Sequence, residues 1–324
     1  MDGLRAVVYY SLVTTDSEDA IKFATTLARK LLHRLASQTN RTLTSPAVAE
    51  VHDLRVAIRR FTQVLVLFKP CFPVKEVKRV RRPLRKTMAL AGIVRDFDIA
   101  VSLLGKSRLA EAAAFRSEFR NERQKAERIL AGRLQRSAKR RLFSRWRHKL
   151  LPGSPNREAG ATTEQVANRV LPRLANRFLA FGDLASGAVG NLEQLHQLRI
   201  AAKKLRYTLE LLAPLNEPAL RGQIEQLKQL QELLGRINDA ETVLEMVLQE
   251  DAGDKLSAEL ARKRDQNVEE FWSYWKLEFA GEANLARWRK DLTYLPPKQS
   301  VPSKPPARSE ARTVLLGEQR SAIR

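Results

Sequence analysis

A single cysteine, Cys71, stands in 324 residues, so a disulfide framework is excluded. Gly and Pro number 14 each and 44 % of the residues are hydrophobic, which rules out a collagenous or wholly disordered chain. No apolar run reaches the length of a signal peptide or a membrane span, so the chain reads as soluble and intracellular, with the cytoplasm as its expected location and no membrane partner. Acidic residues are the telling scarcity. Only 36 Asp and Glu face 58 Lys and Arg, which leaves a net charge of +22. A field of that strength repels itself, and its natural complement is a polyanion.

What the chain has in abundance is helical periodicity. Ile21, Ala24, Leu27, Leu31 and Leu35 recur at helix spacing, as do Leu227, Leu230, Leu233 and Leu234. Leu65, Val66, Leu67 and Phe68 would suit a strand in isolation, but they lie inside a longer 3.6-residue pattern, and length decides for helix. The fold class is all-α. Ser45 before Pro46 predicts a capped helix start, and Asn191 with Gln194 resembles a capping box. Pro70 and Pro73 close the first of these helices, and Pro214 and Pro218 bracket the end of the second. Pro152, Gly153, Ser154, Pro155 and Asn156 interrupt the pattern at mid-chain. The expected organisation is an extension (1–16), a helical half (17–150), a linker (151–160), a second half (161–292) and a flexible basic, Pro-rich tail (293–324).

The two halves share motifs. The run from His52 to Phe61 (HDLRVAIRRF) aligns with His196 to Leu205 (HQLRIAAKKL) at an offset of 144. Leu84-Arg85 and Gly92 to Asp98 align with Leu227-Lys228 and Gly235 to Glu241 at an offset of 143. Two motifs in the same order at nearly the same spacing imply a duplicated half of about 140 residues. If the two helical halves pack about a pseudo-twofold axis, their basic ridges converge on one groove or channel.

On a helical wheel of about 100° per residue, His52, Arg55 and Arg59 share one face, while Leu54, Ala57, Ile58, Phe61 and Leu65 form a separate apolar stripe. The second copy repeats this with His196, Arg199, Lys203 and Arg206 against Leu198, Ala201, Ala202, Leu205 and Leu209. A further basic stripe runs through Lys75, Lys78, Arg82 and Arg85, with Arg221 and Lys228 as its counterparts. Arg grips phosphate or sulfate with a planar fork of donors, Lys supplies a mobile point charge, and His adds a donor whose charge follows pH. No carboxylate lies within the motif faces, so the cations are expected to face a ligand.

His52-x-x-Arg55-Val56-x-x-Arg59-Arg60 and His196-x-x-Arg199-Ile200-x-x-Lys203-Lys204-Leu205-Arg206-Tyr207 resemble the two signature helices of the CHAD domain, the conserved histidine α-helical domain. Arg95-Asp96-x-Asp98 and Gly235-x-x-Asn238-Asp239 resemble its secondary motifs, and the resemblance spans roughly residues 17 to 292. It implies an all-α fold of two pseudo-symmetric antiparallel bundles of the four-helix type, with long helices around a basic groove or central pore. It also implies binding of inorganic polyphosphate, expected to be non-catalytic because no catalytic machinery is visible in the sequence, with some members of the family associating with polyphosphate granules. By motif position it assigns that role to His52, Arg55, Arg59, Arg60, His196, Arg199, Lys203, Lys204 and Arg206, followed by Lys78, Arg82, Arg85, Arg221 and Lys228. Thr62 stands where the second copy has Arg206, so the halves are expected to bind unequally.

Other readings carry less. His33 and His148 have no repeat partner, and Cys71 between prolines reads as a small apolar filler. Asp96 and Asp98 diverge by about 200° on a helix and lack accompanying histidines, so no metal or cofactor is expected. Asp96 and Asp239 instead suit a helix cap or a partnership with Arg of the histidine helices. Phe271, Trp272, Tyr274 and Trp275 read as core rather than a base-stacking platform. A Gly-rich phosphate loop, a nucleophile elbow and the Glu-x-Glu-x-Lys strand of triphosphate tunnel enzymes are absent from the sequence. Nucleic-acid binding on the same basic surface is the alternative function, and a phosphohydrolase or phosphotransferase ranks below it. Charge spacing leaves the oligomeric state open.

Overall fold

The predicted periodicity resolves into ten α-helices in a computed structural model that describes residues 20–151, 161–187, 191–215, 217–250 and 253–293. They are α1 (Ala20–Thr44), α2 (Val48–Leu67), α3 (Val74–Leu104), α4 (Ala110–Lys139), α5 (Leu142–Leu150), α6 (Thr163–Gly187), α7 (Leu192–Leu212), α8 (Glu217–Gln249), α9 (Asp254–Glu278) and α10 (Glu282–Thr293). A 3-10 turn, Lys69–Cys71, joins α2 to α3. The extension at 1–16, almost all of the linker and the tail beyond residue 293 lie outside the described residues. No described helix is long and apolar enough to cross a membrane.

Helix boundaries follow local chemistry, with two departures from expectation. The Ser45 cap is not made: its backbone N–H donates to the Arg41 carbonyl at 2.9 Å and so finishes α1. The start of α2 is fixed by tertiary bonds, because Gln38 Nε2 and Thr42 Oγ1 of α1 donate to the Glu50 carbonyl at 3.1 and 3.0 Å. Asn191 does cap α7, its Oδ1 accepting from the Gln194 N–H at 3.2 Å, but the reciprocal half of the box is missing. Gln194 Oε1 is buried with no partner among the described residues. The full reciprocal box stands instead at α6, where Thr162 N–H donates to Gln165 Oε1 at 3.0 Å and Gln165 N–H to Thr162 Oγ1 at 3.2 Å.

Packing repeats in the same order through both halves. In the first, α1 packs on α2, α2 on α3 and α3 on α4; in the second, α6 packs on α7, α7 on α8 and α8 on α9. The halves meet where α2 crosses α7 and α3 crosses α8. One core joins the two halves, running from Leu31, Leu54 and Phe61 through Leu198, Leu205 and Leu230. Burial of each such side chain contributes about 1.5–3 kcal/mol. A smaller cluster sits at the far tips of the long hairpins, where Ala100, Leu104 and Phe119 meet Val243, Val247 and Leu256.

The aromatic run of α9 is core, as read. Trp275 is flanked by Phe178 at 5.7 Å and stacked on Phe279 at 4.9 Å, with Trp288 of α10 closing the group. Gly182 of α6 makes room for it, since a Cβ there would lie 2.0 Å from the Trp275 ring. Cys71 is buried.

Candidate functional site

The α2 and α7 apolar stripes are buried as the wheel predicted, and this orients the cationic faces. Because α2 and α7 cross, the two histidine helices bring their arginines to one place rather than to two. α3 and α8, crossing alongside, add Arg95 and Asp96 from one half and Asn238 and Asp239 from the other. The four motifs thus meet at the junction of the halves.

Electrostatics bind this centre together across the junction. Burial, then Arg59, lowers the Arg55 pKa, and its other charged neighbours include Asp96, Arg95 and Arg199. Arg199 is lowered by burial too, and feels Asp239, Arg59 and Asp96; its Nε is buried with no hydrogen-bond partner among the described residues. Lys203 is the most perturbed group. Burial and the guanidinium groups of Arg199, Arg59 and Arg55 push its ammonium down to about 6, so it is largely neutral at pH 7. Asp96 and Asp239 are shifted upward by burial despite the arginines around them. Neither aspartate caps a helix, since both lie well inside α3 and α8, and their place is beside the arginines of the histidine helices.

Four arginines and the crowded Lys203 against two half-buried carboxylates leave the centre short of negative charge. Neither Arg55 nor Lys203 forms an ion pair among the described residues. One further device holds Arg55 in place. A Cβ on Gly92 would come within 2.9 Å of the Arg55 Nη1, so the glycine lets the guanidinium lie flat against α3.

His52 and His196 are exposed at the rim, which removes a packing role for either. The His52 pKa is lowered, first by desolvation and then by Arg95 and Arg59. Lys204 is exposed beside Lys203. Lys78, Arg82 and Arg85 are exposed on α3, as are Arg221 and Lys228 on α8, where Lys228 pairs with Glu225 at 3.0 Å. Lys78, Arg85, Gly92 and Asp96 fall within about 40° on the α3 wheel, so that stripe leads along the helix into the centre.

The expectation that no carboxylate shares the motif face is corrected by Glu210. It lies one turn beyond the α7 motif on the same face and holds Arg206 Nη1 at 2.6 Å and Arg60 Nη2 of α2 at 3.1 Å. Arg206 also donates to Gln231 Oε1 at 2.8 Å and covers the Tyr207 ring at 4.7 Å, with Arg59 on the same ring at 5.8 Å. Arg60 and Arg206 therefore clamp α2 to α7, together with the Gln63 Nε2 to Thr208 Oγ1 bond at 2.8 Å. The i, i+4 spacing of Arg206 and Glu210 was a signal for this pair in the sequence.

A second missed pair is repeated in both halves. Asp98, buried, accepts from Arg123 Nε of α4 at 2.6 Å; at the equivalent place Glu241 accepts from Arg264 Nη1 of α9 at 3.0 Å. Arg123 also binds Glu127 and the Pro46 carbonyl, the latter at 2.8 Å. A third repeated motif also went unread. Arg145-Trp146-Arg147-x-x-Leu150 in α5 matches Arg287-Trp288-Arg289-x-x-Leu292 in α10 at an offset of 142, with both Trp and both Leu buried.

A helical protein whose two motif helices pack together and gather buried cations at one place is the class that fold and site define. The CHAD domain family model matches residues 26–248, and the chain belongs to that family. The crystal structure of the CHAD domain from the plant Ricinus communis is similar, with a TM-score of 0.64 and 19 % identity over 88 % of this chain and 96 % of that one. PptA from Streptomyces chartreusis is similar with a TM-score of 0.57 and 15 % identity, over 80 % of this chain and all of that one. No curated protein matches the sequence.

Proposed function

We propose that the chain is a non-catalytic binder of inorganic polyphosphate, held at the junction of two duplicated halves by Arg55, Arg59, Arg199 and Lys203. His52, His196 and Lys204 stand at the rim, and Lys78, Arg82, Arg85, Arg221 and Lys228 line the approaches. The observation that carries this reading is the crowding of Lys203, whose ammonium is pushed to about 6 by burial and three guanidinium groups. A linear polymer of phosphates would supply the missing charge without bulky bases, and counterion release would give its binding a steep salt dependence. Family membership supports the same ligand. The match of α5 with α10 supports the duplication, with halves at about 17–150 and 161–292. Retention of long polymer would place the protein on polyphosphate granules.

The test is titration of labelled polyphosphate at two salt concentrations, with DNA as competitor, against the variant Arg55→Ala, Arg59→Ala, Arg199→Ala and Lys203→Ala. Tight binding that resists DNA and disappears in the variant is the expected result. Binding that survives the substitutions, or yields equally to DNA, would remove the site and leave a generally basic protein. Release of orthophosphate from the polymer would overturn the non-catalytic reading.

A further inference from the structure

The charge of the chain is carried by one half. Residues 20–150 hold 32 Lys and Arg against 9 Asp and Glu, while residues 163–293 hold 18 against 20. The duplicated centre does not account for this, because both halves contribute cations to it. Part of the imbalance lies in the outer helices, where no motif face accounts for it. Residues 110–149, which form α4 and α5, hold 13 Lys and Arg against 4 Asp and Glu; residues 254–293, which form α9 and α10, hold 8 against 8.

On α4, Arg133, Arg136 and Arg140 recur at i, i+3 and i+7 and fall within about 60° of one another, the same spacing as His52, Arg55 and Arg59. Arg136 and Arg140 are exposed, as are Arg145 and Lys149, which share a face of α5 while Trp146 and Leu150 anchor its other side. None of these four takes part in an ion pair among the described residues. Arg133 is half-buried, with its Nε lacking a hydrogen-bond partner there. Its pKa is lowered by burial and by repulsion from Arg136 and Arg140. Like charges held together with no carboxylate between them destabilise the free protein and are relieved by an anion.

This surface is continuous with the approach to the centre. Arg133 Nη2 donates to the Pro83 carbonyl of α3 at 3.3 Å, and Pro83 lies between the exposed Arg82 and Arg85. Around α3 the exposed cations run from Arg85 and Lys78 through Arg82 to Lys86, which on the wheel falls between that stripe and Pro83, the residue that bonds to α4. A polymer entering the centre along the α3 stripe therefore meets an uninterrupted positive path that turns onto α4 and α5.

We infer that the α4–α5 face is a second polyphosphate surface, one that holds the part of a long chain projecting from the centre and so makes affinity depend on chain length. The inference rests on the polyphosphate reading above. Short chains fill the centre alone, whereas long ones gain the outer contacts at high effective concentration because the first site already holds them. The second half, with its balanced outer helices, offers no such path, so the chain leaves by one side.

The experiment compares polyphosphates of roughly ten and several hundred phosphates on the full chain and on Arg136→Gln, Arg140→Gln, Arg145→Gln and Lys149→Gln combined. These positions are exposed, and circular dichroism checks that the helices persist. Short-chain affinity should stay within about twofold, while long-chain affinity falls tenfold or more. The long-chain salt slope should drop by about 3, given about 0.7 per phosphate contact on a single strand. Equal losses for both lengths, or no loss for the long one, would overturn the inference. Loss of duplex DNA binding with long-chain polyphosphate untouched would also overturn it and make the face a nucleic-acid surface. Failure of the central reading looks different, since short-chain binding would then survive substitution of Arg55 and Arg199.

Discussion

Lys203→Met should stabilise the protein while weakening its hold on ligand, and the gain should depend on pH. An ordinary lysine titrates at 10.5, and in the folded chain Lys203 does so at about 6. Between those values the unfolded chain binds a proton that the folded chain does not, so stability rises with pH by up to about 1.4 kcal/mol per unit. Below about 6 both states are protonated and the full cost of burying the charge is present; it is relieved as pH rises toward 10.5. From pH 7 to 9 the upper figure is about 3 kcal/mol, and partial exposure of the side chain reduces it to about 1–2 kcal/mol. Urea denaturation of wild type and Lys203→Met at pH 7, 8 and 9 should show the variant more stable by a margin that shrinks as pH rises. Parallel stability curves would refute the crowding argument. A bound polyanion should restore the proton, so calorimetric titration at pH 7.5 in buffers of different ionisation enthalpy should report net uptake, and Lys203→Met should abolish most of it.

Gly182→Ala should cost about 3 kcal/mol, because its Cβ would lie 2.0 Å from the Trp275 ring, and near-ultraviolet dichroism should change with the displaced indole. Arg123→Met leaves the buried Asp98 uncompensated and should lower stability by about 3–5 kcal/mol in urea denaturation, most of it recovered in the double variant with Asp98→Leu. The His52 imidazole, followed by NMR, should titrate below 6.5 without ligand, because burial, Arg95 and Arg59 all disfavour its charge. Ligand phosphates should raise that midpoint, so binding should strengthen as pH falls, and a free midpoint at or above 6.5 would contradict the repulsion from Arg95 and Arg59.

Much of the centre was legible in sequence because it is written within single helices. The i, i+3, i+7 spacing of His52, Arg55 and Arg59 set a face, and the repeat at 196–203 set another. The apolar stripes between them are buried as read. Cross-helix partners were not legible. Nothing in the spacing of Asp98 and Arg123 says that α4 will fold back onto α3, and the start of α2 is fixed by Gln38 and Thr42 rather than by the nearer Ser45. Glu210 is legible in sequence as an i, i+4 partner of Arg206, although it lies one turn beyond the motif. The shared core was hidden for a different reason: a repeat predicts two similar units and does not say whether their apolar faces close on themselves or on each other.

The small cluster at the hairpin tips has a bearing on motion. It is far less extensive than the main core and gathers four helices through Ala100, Leu104, Phe119, Val243 and Leu256. A unit with so little buried area opens at a lower free energy than the rest, so its amides should exchange with solvent ahead of those near Leu54 and Leu205. Phe97 packs against both clusters and is the immediate neighbour of Asp96. If Phe97 couples the tips to the carboxylate beside Arg55, a ligand that fixes the arginines slows amide exchange at the far end of the molecule, and unchanged tip exchange on binding would refute the link.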